Sequence, residues 1–64
     1  MIDFEKIRKT YTLLDIAYIL GFCDDNDDFL VKKAAMSRIC NWSRTGLPTM
    51  IIKRHGKVLE KLSS

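Results

Sequence analysis

Residues 36–48, M-S-R-I-C-N-W-S-R-T-G-L-P, constrain the fold more than any other stretch, because a helix start, a helix face and two helix stops fall within them. A serine hydroxyl accepts a free backbone N–H of a first helical turn, so Ser37 is expected as an N-cap. Gly46 suits the left-handed position just past a helix end, and Pro48 prevents the same helix from continuing. Between them, Ile39 and Trp42 lie three apart and share a face. Arg38, Asn41, Arg44 and Thr45 fall largely outside it. The spacing predicts a helix over 37–45 with an apolar inner side and an outer side of long donors and one amide. Such a surface suits DNA, since Arg pairs with guanine, Asn with adenine, and Ser or Thr holds phosphate. The plain alternative is an amphipathic helix with a solvated polar side.

The flanking sequence supplies further helices. Asp3 is placed to cap a first helix, Phe4–Thr10, in which Phe4, Ile7 and then Tyr11 recur at helical spacing. Thr12 opens a second with a capping-box-like T-L-L-D, Asp15 standing in the Glu/Gln place. Leu13, Ile16, Ala17 and Leu20 form its buried stripe, widened by Leu14, Tyr18 and Ile19. Gly21 ends it, and Phe22 is placed to fold back onto it. Residues 23–28 read as a polar loop whose aspartates favour the start of the next helix, over 28–35. They lack the glycine and terminal glutamate of a calcium loop. Phe29, Leu30, Val31, Ala34 and Ala35 are the expected apolar side of helix 28–35, with Lys32 and Lys33 outside. A turn near Met36 would separate it from helix 37–45. Without a turn the two fuse, because Val31, Ala35, Ile39 and Trp42 make one stripe. The segment after Pro48 has two readings. As a helix, it lines up Ile51, Ile52, His55, Val58 or Leu59, and Leu62. As a hairpin, strands 50–52 and 57–59 flank a turn at 53–56, giving a basic wing. Pro48 at a helix start favours the first. Gly56, costing a helix about 1 kcal/mol, favours the second.

With 64 residues the chain is expected to be a single domain over 1–64, with a small core that a partner subunit would help. No apolar run of about 20 residues exists to span a membrane. The N-terminal M-I-D-F-E-K has no signal-peptide character, so a cytoplasmic, nucleoid-associated protein is expected. Cys23 and Cys40 have poor zinc spacing and read as two buried or half-buried thiols. The net charge of +3 conceals an asymmetry: residues 1–28 hold three basic against seven acidic side chains, and residues 29–64 eight against one. A basic half of this kind is an expected footprint for nucleic acid.

Three local resemblances bear on function. I39-C-N-W-S-R-T-G-L-P48 resembles the recognition-helix end of small phage and prophage regulators of the Cro/repressor kind, which often read I-S-x-W-x-x-x-G-x-P. The resemblance implies a helix-turn-helix anchored by Ile39 and Trp42, with Ser37, Arg38, Asn41 and Arg44 facing the major groove. The chain departs from that pattern upstream, where Phe29 and Lys33 stand in place of an Ala and a Gly. D15-I-A-Y-I-L-G-F-C-D-D-N26 is similar to the helix-turn-helix of AraC-type activators, although Phe29 comes one residue late and the reading helix would begin among aspartates. W42-S-R-T-G-L-P48 followed by a strand resembles winged excisionases and MerR-like heads.

The expected fold is thus all-α, a helix-turn-helix domain of four to five short helices, the alternative being a winged form with a β-hairpin at 50–59. The expected function is a sequence-specific DNA-binding transcriptional regulator, a repressor. Arg38 and Asn41 would read base edges, Arg44, Ser37 and Thr45 would read or hold phosphate, and Lys32, Lys33, Lys53 and Arg54 would add backbone contacts. The expected partners are double-stranded DNA and a second copy, docked through Ile51, Leu59 and Leu62, with no membrane, small-molecule substrate, cofactor or metal. The competing classes are a protein-interaction module (an antirepressor, antitoxin or inhibitor) and an excisionase-like architectural DNA binder. No Ser–His–Asp or Cys–His constellation, phosphate loop or metal cluster argues for an enzyme.

Overall fold

The computed structural model describes residues 1–64 as four helices without a strand: α1 (Phe4–Thr10), α2 (Leu13–Leu20), α3 (Phe29–Thr45) and α4 (Thr49–Ser63). The starts follow from local capping chemistry. Asp3 Oδ1 accepts from the Lys6 backbone N–H at 3.1 Å, Thr12 Oγ1 from that of Asp15 at 3.0 Å, and Asp28 Oδ1 from that of Val31 at 3.0 Å. Each satisfies a donor that a first helical turn leaves free. At the far end of α2, Gly21 takes the left-handed conformation (φ 79°, ψ 23°). The Gly21 N–H then donates to the Tyr18 carbonyl at 3.1 Å and the Phe22 N–H to that of Ala17 at 2.9 Å, the bond pair of a Schellman cap.

One expected boundary is absent. Helices 28–35 and 37–45 are a single helix of 17 residues, uninterrupted at Met36. Ser37 is therefore an exposed mid-helix residue and caps nothing. No glycine or proline breaks the run between Phe29 and Thr45, and Ala35, Ile39 and Trp42 are all buried along one stripe. Packing favours continuation where nothing in the backbone enforces a stop. The link between packed helices lies earlier, at residues 21–28, where Asp27 Oδ2 and Asp24 Oδ1 accept from the Asp24 and Asn26 N–H groups at 2.8 and 2.9 Å.

The C-terminal segment is helix α4, so the hairpin at 50–59 does not form. Pro48 is its N-cap and not its first helical residue. Gly56 is accommodated inside the helix, where a Cβ would meet only the Ile52 side chain at 3.9 Å. The cost of one glycine is smaller than the gain from burying Ile51 and Leu59 on the inner face.

The helices pack in two pairs, α2 on α3 and α1 on α4, with α1 also touching α3. The core they enclose includes Ile7, Ile16, Ile39 and Leu59, all wholly buried. Trp42 sits among aromatic rings, edge-on to Phe4 at 6.2 Å and to Phe22 at 5.7 Å between centroids. Phe22 also meets the half-buried His55 edge-on at 5.8 Å. Two apolar expectations fail at the rim. Phe29, Leu30, Val31 and Ala34 are exposed, leaving Ala35 as the one buried residue of that group. Within the first two turns of α3 only Lys32, beside Tyr18 and Asp25, and Ala35 are covered. Ile51 and Leu59 are buried in this chain's own core and Leu62 is half-buried, so they are not open to a second copy as expected.

Candidate nucleic-acid interface

The outward ridge of α3 follows from its buried face. At about 100° per residue, Ala35, Ile39 and Trp42 point inward, and Lys33, Ser37, Asn41 and Arg44 come up on the opposite side. All four are exposed. Asn41 and Arg44 are joined, the Arg44 Nη2 group donating to Asn41 Oδ1 at 3.1 Å. Thr45, further round the helix, is turned back on its own backbone, its hydroxyl donating to the Asn41 carbonyl at 3.0 Å. It offers less to a ligand than expected, because its donor is already engaged.

Arg38 is exposed but does not stand on this ridge. It lies on one shoulder of the helix, its guanidinium carbon 4.8 Å from the centre of the Phe22 ring. A cation over an aromatic face is held electrostatically, worth about 0.5–1 kcal/mol at an exposed site. On the other shoulder, Arg8 of α1 reaches α3 and donates from Nε to Ser43 Oγ at 3.2 Å. Arg8 was not among the expected residues. No local signal marks it, since its partner lies 35 positions away in the chain.

Lys32 is drawn away from the ridge. It is half-buried, with its Nζ 3.4 Å from the Asp25 carbonyl oxygen and 5.8 Å from the centre of the Tyr18 ring. The Tyr18 hydroxyl beside it raises its pKa above the usual lysine value, against the opposing effect of desolvation, with a smaller contribution from Asp25. The ammonium therefore serves the acidic loop and is not positioned with Lys33. Lys53 and Arg54 are exposed on α4, as are Lys57 and Lys61, which extend the same basic helix. Lysines every four residues at 53, 57 and 61 are legible in the sequence once α4 is read as a helix.

The thiols diverge. Cys23 is buried and Cys40 exposed, against the expectation that both would be at least half-buried. Desolvation, and then the nearby Asp27 carboxylate, push the Cys23 thiol up, which keeps it protonated and unreactive. No group of three or more His, Cys, Asp or Glu side chains comes together in a geometry that would hold a metal ion. No helix is long and apolar enough to cross a membrane.

Fold and surface together define a small four-helix domain with an exposed Asn–Arg pair on its longest helix and basic side chains on either shoulder. Comparisons with protein families, with curated proteins and with solved structures found no match to this chain.

Proposed function

We propose that the chain is a sequence-specific regulator of transcription, a repressor, that binds double-stranded DNA by placing the outward ridge of α3 in the major groove. The observation that carries this reading is the Asn41–Arg44 pair. Its two side chains are exposed and joined at 3.1 Å, on the side of α3 opposite the buried Ile39 and Trp42. A core-anchored helix with pre-set polar groups loses little freedom on binding. An asparagine carboxamide pairs with adenine N6 and N7, and an arginine guanidinium with guanine O6 and N7. Asn41 and Arg44 would address neighbouring base pairs, with Ser37 and Lys33 further along the ridge. Lys53, Arg54, Lys57 and Lys61 would add phosphate contacts and long-range attraction. A homodimer would read two half-sites about one helical turn apart, on a near-palindrome.

Selection of bound fragments from a random DNA pool tests this reading. The expected result is an enriched motif, and Asn41→Ala should relax the preference at one position by about 1–3 kcal/mol. Equal losses on selected and random DNA would remove Asn41 from base reading. Absence of any binding to mixed genomic DNA at about 50 mM salt, where non-specific affinity is large, would remove DNA altogether.

One observation favours a second reading, a protein-interaction module such as an antirepressor, antitoxin or inhibitor. Phe29 and Leu30 are 69% and 73% exposed side by side at the start of α3, next to Val31 and Ala34. Large apolar side chains left this exposed often mark a protein contact. The excisionase-like variant rested on a hairpin wing, and that segment is α4.

A further inference from the structure

We infer that Arg8 and Arg38 are a pair of phosphate clamps, one on each shoulder of α3, that grip the two DNA backbones bordering the groove which the ridge enters. The inference rests on the DNA reading above and adds to it a residue from α1 and a different role for Arg38.

The argument is geometric. Arg38 and Ser43 are five residues apart on one helix, hence about 140° apart across its buried side and about 220° apart across its outer side. The line midway across the outer side runs between Ser37 and Arg44, with Asn41 about 50° from it on the Arg38 side. Arg38 on its Phe22 ring and Arg8 on its Ser43 hydroxyl thus flank the ridge from opposite sides. A helix with its side chains is about 10–12 Å across. The major groove is about 12 Å wide. Groups on the shoulders of an inserted helix meet the rims of the groove, which are phosphates, and groups on the ridge meet its floor, which is bases. On this geometry Arg38 meets a backbone oxygen at the rim and leaves the bases on the floor to the ridge.

Both guanidiniums are also held in advance. Arg8 uses Nε on Ser43 and keeps its terminal Nη groups for a phosphate. Arg38 has its guanidinium carbon over the Phe22 ring, and its N–H donors make no hydrogen bond or ion pair within the chain. Neither is ion-paired; the one salt bridge in the molecule joins Lys9 to Glu5 at 3.6 Å. Glu5 lines the same surface groove as Arg8, between Phe4, Trp42 and Ser43. Its carboxylate opposes a phosphate there, so removing that charge should strengthen binding.

The test measures affinity against salt for the full chain, on selected and on mixed DNA. Each phosphate neutralised contributes about 0.9 to the slope of log affinity on log salt. Arg8→Gln and Arg38→Gln, which keep most of the side-chain stem, should each lower the slope by about that amount. Across 50–200 mM salt each variant should lose about 3.5-fold less affinity than the parent, and the double variant about 12-fold less. Sequence preference should be unchanged in all three, Arg8→Lys should restore the slope, and Glu5→Gln should raise affinity on both DNAs. Helical circular dichroism establishes that each variant is folded. DNA binding by the parent with slopes unmoved in both Gln variants overturns the clamps and leaves the ridge reading intact. A changed base preference in Arg38→Gln returns Arg38 to base reading and overturns its half of the pair. No binding by the parent at about 50 mM salt overturns the ridge reading and the clamps together.

Discussion

The two halves of α3 obey opposite rules. In the C-terminal half, apolar side chains face in and polar ones face out: Ile39 is wholly buried, Trp42 is 5% exposed, and Asn41 and Arg44 are in water. In the N-terminal half, the largest apolar side chains, Phe29 and Leu30, are among the most exposed in the molecule. The backbone is one continuous helix throughout. The difference lies in what stands opposite. The C-terminal half faces aromatic rings from α1 and from the turn after α2, whereas in the first two turns only Lys32 and Ala35 find cover and Phe29 and Leu30 have none. Hydrophobicity sets what a side chain gains from burial, and the neighbouring elements decide whether burial is on offer.

Aromatic truncation in each half tests this contrast most strongly. Trp42→Ala removes a ring packed between Phe4 and Phe22 and should cost about 3–5 kcal/mol, enough to unfold most of a domain this small in a urea titration. Phe29→Ala, in the same helix, should stay within about 0.5 kcal/mol of the parent. Similar losses for the two would mean that Phe29 is covered in solution, by a second copy or another protein, and the dependence of stability on chain concentration would say whether it is a second copy.

The two ends of the helix give the next effect in size. Gly46 adopts φ 92° and ψ 163°, a region open essentially to glycine alone. It has positive φ as expected, but with an extended ψ that swings the chain out towards Pro48 and not the compact left-handed turn seen at Gly21. A Cβ there would touch nothing within 4 Å, so the cost of Gly46→Ala is purely conformational, about 1–3 kcal/mol by thermal or chemical denaturation. Asp28→Ala, which removes the cap at the exposed end, should cost about 1 kcal/mol. If Asp28→Ala proved the costlier of the two, the exposed half would be the one holding the helix in place.

The smallest effect is in alkaline pH. The Cys23 thiol, raised by desolvation and by Asp27, keeps its proton in the folded chain when the unfolded chain has already lost it. Such a group adds stability that is whole below the unfolded thiol pKa, about 8.5, and is lost as pH rises through the higher folded value. Stability measured across pH 7 to 10 should therefore decline on the alkaline side, and Cys23→Ala should flatten the decline. A slope unchanged in that variant would remove the thiol as its cause.

Most helix ends were legible because each is written in a few adjacent residues: Asp3 and Thr12 as caps, the aspartates before Phe29 as a helix start, Gly21 as a stop. The ridge was legible for the same reason, since Ile39 and Trp42 locate the inner face and so assign Asn41 and Arg44 to the outer one. Where the reading missed, the deciding partner was remote. Ser37 looks like a cap until the stripe from Ala35 to Trp42 is packed as a unit. Lys32 looks like a free cation until Tyr18 and Asp25 are beside it. Arg38 looks unsupported until Phe22 supplies a ring.

Chain chemistry alone determined the number of helices to within one, the caps at Asp3 and Thr12, the stop at Gly21, and the partition of the C-terminal half of α3 into an inner and an outer side. Those are properties of neighbours within a turn or two, and short-range sterics and hydrogen bonds decide them. Tertiary structure alone decided that α3 runs unbroken, that Phe29 and Leu30 stand in solvent, and that Arg8 lies against Ser43 from the far end of the sequence. Each of those depends on which surfaces meet, and a side chain's burial or charge partner belongs to the assembled molecule and not to the segment that carries it.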